Sequence, residues 1–356
     1  MRTSVLLSRG PGHHEIVEAE LDGPRAHEVI VRIEAVGVCH TDLVTREALG
    51  DRPAVLGHEG CGIVERVGAE GGTLRVGDRV VISFASCGRC ARCRAGHPAY
   101  CDLAAAHNSS GGRPDGSPTI RVDGEPVFGG YFGQSSFATA ALTDARSCVP
   151  VGDLPPEIAA PLGCGFLTGA GAVLNVLRPA PGDRLLVIGA GAVGTAAVLT
   201  ALSEGVEVVV AEPVAARRAR AVRHGASAVD SLDGLTTSSG RAAAVTHALD
   251  TTGRPESIAA ALALLRPRGT LAVVGLGPAA AAIDVRSLML RGLRLRGCVE
   301  GDAQPALLIP ELIRRHLKGG LPLDDLVTPY PLRDFGRAVA DQRAGRVLKP
   351  VLLPPG

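Results

Sequence analysis

The sequence predicts an α/β protein that combines a doubly wound parallel sheet domain with an irregular, mainly antiparallel β domain. Three observations lead to this prediction. The first third of the chain contains short, glycine-bounded runs in which apolar and polar residues alternate. The middle third alternates continuous apolar runs with segments of helical length. A glycine-rich motif joins the first of these apolar runs to the helix that follows it.

The runs of the first third have the period of half-buried strands, in which every second residue faces a core. We expect strands at 28–33, 60–67 and 78–82. The stretch 104–126 is polar and rich in Gly, Ser and Pro, which predicts a long loop.

After about Pro155 the pattern changes to continuous apolar runs, which are typical of strands that are buried on both faces. Such strands, alternating with helices, imply βαβ units and a parallel sheet. The expected strands are 185–188, 206–211, 245–249, 270–275 and 293–298, and the expected helices are 192–203, 213–224 and 255–265.

The composition is that of a globular protein, with 356 residues, 46% of them hydrophobic, and a formal net charge of +1. Neither half of the chain is strongly acidic or basic, which argues against a nucleic-acid or membrane-surface partner. The N-terminal apolar run 5–7 is too short for a signal peptide, and no stretch of 18 apolar residues exists. We therefore expect a cytoplasmic protein without a membrane span.

The motif 189–194, Gly-Ala-Gly-Ala-Val-Gly, follows a predicted buried strand and opens a predicted helix. This context makes a G-x-G-x-x-G match informative as a dinucleotide site. Gly189 would form the tight turn, Gly191 would let the backbone approach a pyrophosphate, and Gly194 would let the helix pack on the strand. The alternative is a glycine turn that binds nothing.

Glu212 follows the next predicted strand, eighteen residues beyond Gly194. A carboxylate at this place accepts hydrogen bonds from the ribose hydroxyls and repels a 2′-phosphate, so it favours NAD over NADP. Arg217 and Arg218 argue the other way, because an arginine can hold a 2′-phosphate.

Four cysteines occur within fifteen residues, at positions 87, 90, 93 and 101. Thiolates at this spacing can surround one Zn²⁺ as a closed tetrahedron, which stabilises a loop and performs no chemistry. A redox pair is the alternative, but a third and a fourth cysteine in register favour a metal. The predicted ligands are Cys87, Cys90, Cys93 and Cys101.

A second set of metal-ligating residue types is dispersed along the chain and comprises Cys39, His58, Glu59 and Cys164. A catalytic zinc needs three protein ligands and one exchangeable position, and two cysteines with one histidine form such a set. Spacing alone does not join these residues, and each cysteine taken singly is more often a small core residue.

Six motifs follow one another along nearly the whole chain: GVCHTD (37–42), VLGHEGCGIVERVG (55–68), VGDRV (76–80), CGRCARCRAGHPAYC (87–101), GCGFLTGAGA (163–172) and GAGAVG (189–194). Taken together, and in this order, they resemble the zinc-containing medium-chain alcohol dehydrogenases. Within that family the chain is most similar to the benzyl or aryl-alcohol branch, through 131–142, 297–313 and 348–352.

The resemblance implies a Rossmann domain over 165–298 and a GroES-like catalytic domain over 1–164 and 299–356. It also implies two zinc ions per chain, NAD, a small alcohol or aldehyde substrate, and a homodimer, with a homotetramer as the alternative. It assigns roles at the reaction centre. Cys39, His58 and Cys164 would hold the catalytic zinc, Glu59 would approach the metal when water exchanges, Asp42 would orient His58, and Thr41 would take the alcohol proton.

The resemblance also implies contacts to the cofactor. His40 and Lys349 would contact the pyrophosphate, Thr168 and Val193 would press on the nicotinamide, and Arg217 would lie by the adenosine ribose. In liver-type relatives a histidine ends the proton relay five positions after the first zinc cysteine, and here that position is Val44.

The expected reaction is hydride transfer between a primary, benzylic or allylic alcohol and NAD. The alternatives are a glutathione-dependent formaldehyde dehydrogenase, a polyol dehydrogenase, and a non-catalytic protein that binds zinc and a nucleotide. A zinc-free quinone reductase is disfavoured because all the cysteine ligands are present. Cys61, Cys148 and Cys298 are expected to be core thiols.

Overall fold

The computed structural model describes residues 1–235 and 245–355. The chain divides into two compact units. The first unit consists of Met1–Cys164, Gln304–Arg314 and Leu323–Gly356, and the second of Gly165–Ala303 and Arg315–Pro322.

The first unit contains strands that are numbered here along the chain. They are β1 Arg2–Gly10, β2 His13–Leu21, β3 Glu28–Gly37, β4 Ala54–Val55, β5 Gly60–Val67, β6 Arg79–Ile82, β7 Ile120–Val122, β8 Glu125–Pro126, β9 Ala140–Asp144, β10 Cys148–Pro150, β17 Val327–Pro331 and β18 Lys349–Leu353. The remaining strands, in the second unit, are β11 Arg184–Ile188, β12 Glu207–Ala211, β13 Ser227–Val229, β14 Val245–Asp250, β15 Leu265–Val273 and β16 Arg294–Gly297.

The α-helices of the described residues are likewise numbered along the chain. They are α1 His40–Ala48, α2 Ala91–Arg94, α3 Ala104–Asn108, α4 Pro156–Ala159, α5 Gly165–Gly171, α6 Ala192–Ser203, α7 Ala215–Arg223, α8 Pro255–Leu264, α9 Val285–Leu290, α10 Pro305–Leu317 and α11 Phe335–Arg343.

Two sheets form the first unit. One has the order β4–β1–β2–β7–β8, and the other has the order β10–β6–β5–β3–β18–β17 with β9 beside β3. Their pairs are antiparallel except β17 with β18. Strand β3 faces two cores, because Val29 and Val31 pack in one apolar cluster and Ile30 packs in another. The predicted irregular, mainly antiparallel domain is confirmed.

The second unit is built on a parallel sheet with the order β13–β12–β11–β14–β15–β16. From β11 the chain first adds β12 and β13 on one side, and then adds β14, β15 and β16 on the other side. This change of direction is the doubly wound arrangement of dinucleotide-binding folds. Successive residues of β11 face opposite sides: Leu185 packs in the cluster that contains residues of α6, and Leu186 packs in the cluster that contains residues of α8. The continuous apolar run of this strand therefore reflects burial on both faces, as predicted.

The stretch 104–126 differs from the long loop that its composition predicts, because it contains α3, β7 and β8. The side chain of Asn108 donates to the carbonyl groups of Ala104 and Ala85, which stabilises the short helix α3. Strand β7 pairs with β2, a partner about a hundred residues earlier in the chain. Both elements depend on tertiary contacts, so local composition does not reveal them.

No single helix among residues 1–235 and 245–355 is long and apolar enough to cross a membrane. One bent pair of adjacent helical segments, 156–163 and 165–177, has the length and the apolar composition of a membrane span, but these two properties are its only support.

Candidate active site

Four potential metal ligands from separate parts of the first unit come together. Cys39 precedes α1 in extended conformation, His58 and Glu59 directly precede β5, and Cys164 follows a 3₁₀ turn at Ala160–Gly163. Their ligand atoms all lie within 4.8 Å of one another. Folding thus joins the residues that sequence spacing alone could not.

His58 is fully buried and is held from one side of its ring. Its Nδ1 atom lies 2.9 Å from Oδ1 of Asp42, whose carboxylate also accepts the backbone amides of Cys39 and Gly57. The Nε2 atom is buried and has no hydrogen-bond partner in the described part of the chain. A buried ring nitrogen without a partner, facing two thiols, suits a metal ion, because metal-bound histidines use their other nitrogen in this way.

The chemistry of the donors fits the same conclusion. The hydrogen bond from Cys164 and the positive charge of His58 and Lys349 hold the pKa of Cys39 well below its usual value, although burial opposes this. The thiolate is the form of cysteine that binds metals. Cys39, His58 and Cys164 are therefore a fitting set for one Zn²⁺.

Glu59 is buried beside this set and pairs with Lys349. The ammonium of Lys349 lies 2.6 Å from the Glu59 carboxylate and also donates to the carbonyl of Val38 at 3.0 Å. Burial raises the pKa of Glu59 to about 7, against the opposing charge of Lys349. A Cβ atom at Gly37 would lie 2.0 Å from the Glu59 carboxylate, so a larger residue there would displace this carboxylate. The expected contact of Lys349 with a pyrophosphate stays a prediction.

Thr41 lies in the first turn of α1, and its hydroxyl is 3.5 Å from the Cys39 sulfur. The hydroxyl of Tyr131 donates to the Thr41 carbonyl at 3.3 Å and lies 2.8 Å from the Thr45 hydroxyl. His40 is exposed on the same turn. Val44 is 38% exposed, one helical turn further on, and offers no group that could carry a proton.

Two side chains at this centre were not singled out from the sequence. Gln134 is buried, donates to the His58 carbonyl at 2.9 Å and accepts the Gly60 amide at 3.1 Å, so it fixes the backbone on either side of Glu59. Phe132 stacks on the His58 ring with centroids 4.5 Å apart. Both belong to the segment 131–142, which resembles the aryl-alcohol branch. The resemblance assigns no role to individual residues of this segment.

The four clustered cysteines surround a second point in the first unit. Their sulfur atoms lie within 4.8 Å of one another, and those of Cys87 and Cys93 are 4.0 Å apart. A tetrahedron with Zn–S bonds of about 2.3 Å has S···S edges of about 3.8 Å. Backbone amides of Cys87, Cys90 and Leu103 donate to sulfur atoms of the cluster, which suits thiolates. The cluster fits a closed structural zinc site.

The glycine motif of the second unit has the geometry of a dinucleotide site. Gly189 has φ +90°, a conformation that favours glycine, and a Cβ atom at Gly194 would lie 1.9 Å from the Gly189 carbonyl oxygen. A Cβ atom at Gly191 would meet no atom within 4 Å, so space for a ligand exists there. The motif precedes α6, whose first turn offers backbone amides to phosphate oxygens.

Glu212 follows β12 and is 3% exposed. Its carboxylate accepts the backbone amides of Ala190 at 2.7 Å and Val214 at 2.9 Å, so it also holds the glycine loop in place. Arg217 lies 3.9 Å from this carboxylate, and Arg218 donates to the Glu212 and Pro213 carbonyls. The expected ribose contacts of Glu212 and Arg217 stay predictions.

Thr168 and Val193 also lie in the second unit. Thr168 is in α5, with its hydroxyl 3.4 Å from the Glu300 carboxylate, and Val193 is half-buried in the first turn of α6. Gly169 packs against this turn so closely that a Cβ atom there would lie 2.1 Å from the Val193 carbonyl oxygen. Their expected contacts with the nicotinamide stay predictions.

Comparisons with known proteins identify the family of each part of the chain. The model of the alcohol dehydrogenase GroES-like domain matches residues 25–153, and that of the zinc-binding dehydrogenase family matches residues 192–314. The geraniol dehydrogenase of Castellaniella defragrans is 44% identical over 98% of this chain and 97% of its own. Together the two models cover well over half of the chain.

Solved structures give the same result. The benzyl alcohol dehydrogenase of Acinetobacter calcoaceticus has a TM-score of 0.93 at 36% identity, and an alcohol dehydrogenase zinc-binding domain protein of Burkholderia ambifaria has a TM-score of 0.94 at 41% identity. Each covers 100% of both chains. The chain belongs to the zinc-containing alcohol dehydrogenase family.

Proposed function

We propose that this alcohol dehydrogenase oxidises primary benzylic or allylic alcohols to aldehydes, with NAD as hydride acceptor. The observation that carries the proposal is the convergence of Cys39, His58 and Cys164 with an unpartnered, buried His58 Nε2 atom. A protein without catalytic activity would have no physical need for three metal ligands arranged in this way. The experiment is an NAD-linked activity screen over benzylic, allylic and aliphatic alcohols.

Two zinc ions per chain are part of the proposal. Cys39, His58 and Cys164 would hold the catalytic ion, and the cluster of four cysteines would hold the structural ion. When bound, the catalytic ion supplies Lewis acidity, which lowers the pKa of an alcohol and polarises a carbonyl in the reverse direction.

The protein's own groups then handle the proton and orient the reactants. In oxidation Thr41 would relay the proton that the alcohol hydroxyl loses. Bound NAD would supply the acceptor for the hydrogen and both electrons that leave the carbinol carbon. The threonine hydroxyl has no useful basicity and acts as a relay. Asp42 and Gln134 hold the His58 segment in place, through the ring and the backbone respectively. The Val44 side chain cannot carry a proton, so the proton must leave Thr41 by another route.

NAD is proposed over NADP because Glu212 places a carboxylate after β12. Arg218 is engaged with backbone carbonyls in this structure, which supports the same preference. The ratio of kcat/KM for the two cofactors is the direct measurement, and equal or reversed preference would refute the assignment.

The aromatic or allylic substrate class has two supports. Two relatives that match the chain over nearly its full length are named for geraniol and benzyl alcohol. Phe132 and Tyr131 both contact the His58 ring, at centroid distances of 4.5 and 5.5 Å, and so place aromatic surface beside the metal ligands. A requirement for glutathione would instead indicate the formaldehyde dehydrogenase alternative.

A homodimer is proposed from the edge of the parallel sheet. Strand β16 is the last strand of that sheet, and all four of its residues are exposed. Leu290 in α9 is 72% exposed and Met289 is 70% exposed. A second copy of the chain would cover this edge, because exposed apolar residues beside an open strand favour association. Sedimentation equilibrium measures this state.

A further inference from the structure

A cavity of about 380 Å³ lies in the first unit beside α1, and the proposed reaction does not use it. Residues of β1, α1 and α11 contribute to its walls. Its lining is mainly apolar, and it has the size of pockets that hold small organic molecules. The large apolar side chains are Leu6, Leu43, Leu56, Phe137, Phe335 and Val339.

One strong cation, Arg46, belongs to this apolar lining and is only 4% exposed. Its guanidinium donates to the carbonyl groups of Ser8, Gly50 and Arg52. No carboxylate lies within ion-pair distance of Arg46 in residues 1–235 and 245–355, and its Nε atom has no hydrogen-bond partner there. Neutral carbonyl groups satisfy donors but carry no charge that pairs with the guanidinium, and a buried charge without an ion pair is costly.

The acidic groups near the cavity form no ion pair with Arg46 among the described residues. Asp42 belongs to the lining, but its oxygens are engaged with His58 and with the backbone amides of Cys39 and Gly57. Glu47 is exposed, as is the basic Arg343 on α11. Burial lowers the pKa of Arg46, and the charge of Asp51 opposes this without forming an ion pair.

His14, the remaining titratable group of the lining, responds to the same positive charge. Burial and then the charge of Arg46 lower the pKa of His14, which disfavours its charged form. The cavity thus combines apolar walls with a buried arginine that has no ion-pair partner among the described residues.

We propose that this cavity binds a small apolar monocarboxylate, with the carboxylate paired to Arg46 and the hydrocarbon part against the apolar side chains. A single cation matches a single negative charge, whereas a phosphate dianion would need further donors. The site is separate from the zinc centre and goes beyond the proposed reaction. Asp42 both lines the cavity and holds His58, so one side chain separates the bound carboxylate from a metal ligand.

A crystal of the zinc-loaded protein soaked with 4-bromobenzoate would locate the ligand through the anomalous signal of bromine. We expect a bromine peak in the cavity. A peak only at the catalytic metal ligands, or no peak, would overturn the proposal. Calorimetry with benzoate gives the affinity, and the neutral isostere benzamide should bind at least about tenfold more weakly because it lacks the charge-assisted bond.

Two variants test the site in different ways. Arg46→Met removes the cation and should weaken benzoate binding at least about tenfold. Gly336→Leu fills the cavity and should abolish benzoate binding. A Cβ atom at Gly336 meets no atom within 4 Å, so we expect this variant to fold. It therefore tests the site even if Arg46→Met fails to fold.

Two controls separate this site from others. Arg343→Gln removes the exposed arginine of the lining and should leave benzoate affinity within about twofold. Cys164→Ser removes a proposed zinc ligand outside the cavity and should leave cavity binding intact. Unchanged affinity in Gly336→Leu, or loss of binding in Cys164→Ser, would contradict the proposal without bearing on the dehydrogenase reaction.

Discussion

The ammonium of Lys349 lies 2.6 Å from the carboxylate of Glu59, and both side chains are at most 1% exposed. The pair joins the first residue of β18 to the segment that carries His58. It therefore places a fixed positive charge next to a carboxylate that lies within 4.8 Å of the metal-ligand atoms. Loss of either partner leaves a buried charge without its counterpart.

Lys349→Met should destabilise the protein by about 3 kcal/mol, because it leaves Glu59 buried without its ion-pair partner. The double variant Glu59→Gln, Lys349→Met removes both charges and should recover part of this loss. Chemical denaturation of the zinc-loaded proteins gives both values. Equal stability of the single and double variants would show that the pair is not energetically coupled.

Cys90→Ser should release one zinc ion and lower the unfolding temperature, because structural zinc contributes directly to folding free energy. Elemental analysis of wild type should give two zinc ions per chain, and the variant should retain one. Cys61→Ser is the matched control, since Cys61 is a buried thiol outside both clusters and its loss should not change the zinc content. One zinc ion or none in wild type would contradict the two-site interpretation.

Thr41→Ala should lower kcat by about a hundredfold or more, the usual range for loss of a positioned proton-transfer group. Thr41→Ser keeps the hydroxyl and should restore most of the activity. Steady-state kinetics with the preferred alcohol measures both. A rate for Thr41→Ala equal to that of wild type would exclude this hydroxyl from the proton route.

Benzyl or cinnamyl alcohol should have a kcat/KM at least about a hundredfold above that of ethanol, a difference of about 2.7 kcal/mol. Burial of a phenyl ring contributes roughly 25 cal/mol per Å² of apolar surface, which is enough for this ratio. Phe132→Ala should reduce the ratio by removing aromatic surface beside His58. Equal efficiency with ethanol would end the aryl-alcohol assignment and leave the enzyme family unaffected.

The sequence predicts the fold well where local pattern and tertiary packing agree. The apolar runs that became β11 and β12 are buried on both faces, so composition alone reveals them. It fails for α3 and β7, whose stability comes from Asn108 contacts and from pairing with β2.

The sequence predicts some residues of the site from local spacing, some only through family resemblance, and some not at all. The four-cysteine cluster is local and has a spacing that indicates its chemistry. Cys39, His58 and Cys164 are far apart in sequence and were joined by family resemblance. Gln134 and Phe132 act through tertiary contacts with the His58 segment, and no local pattern marks an isolated glutamine or phenylalanine for such a role.

The central claim is that Cys39, His58 and Cys164 hold the metal ion at which an alcohol is oxidised. The most direct test measures NADH formation from benzyl alcohol and NAD together with zinc content, in wild type and in Cys164→Ser. Wild type should form NADH and contain two zinc ions. The variant should fold, keep the structural zinc, and lose at least about a thousandfold in kcat/KM, or about 4.1 kcal/mol. A Cys164→Ser protein with one zinc ion and wild-type activity would contradict the claim.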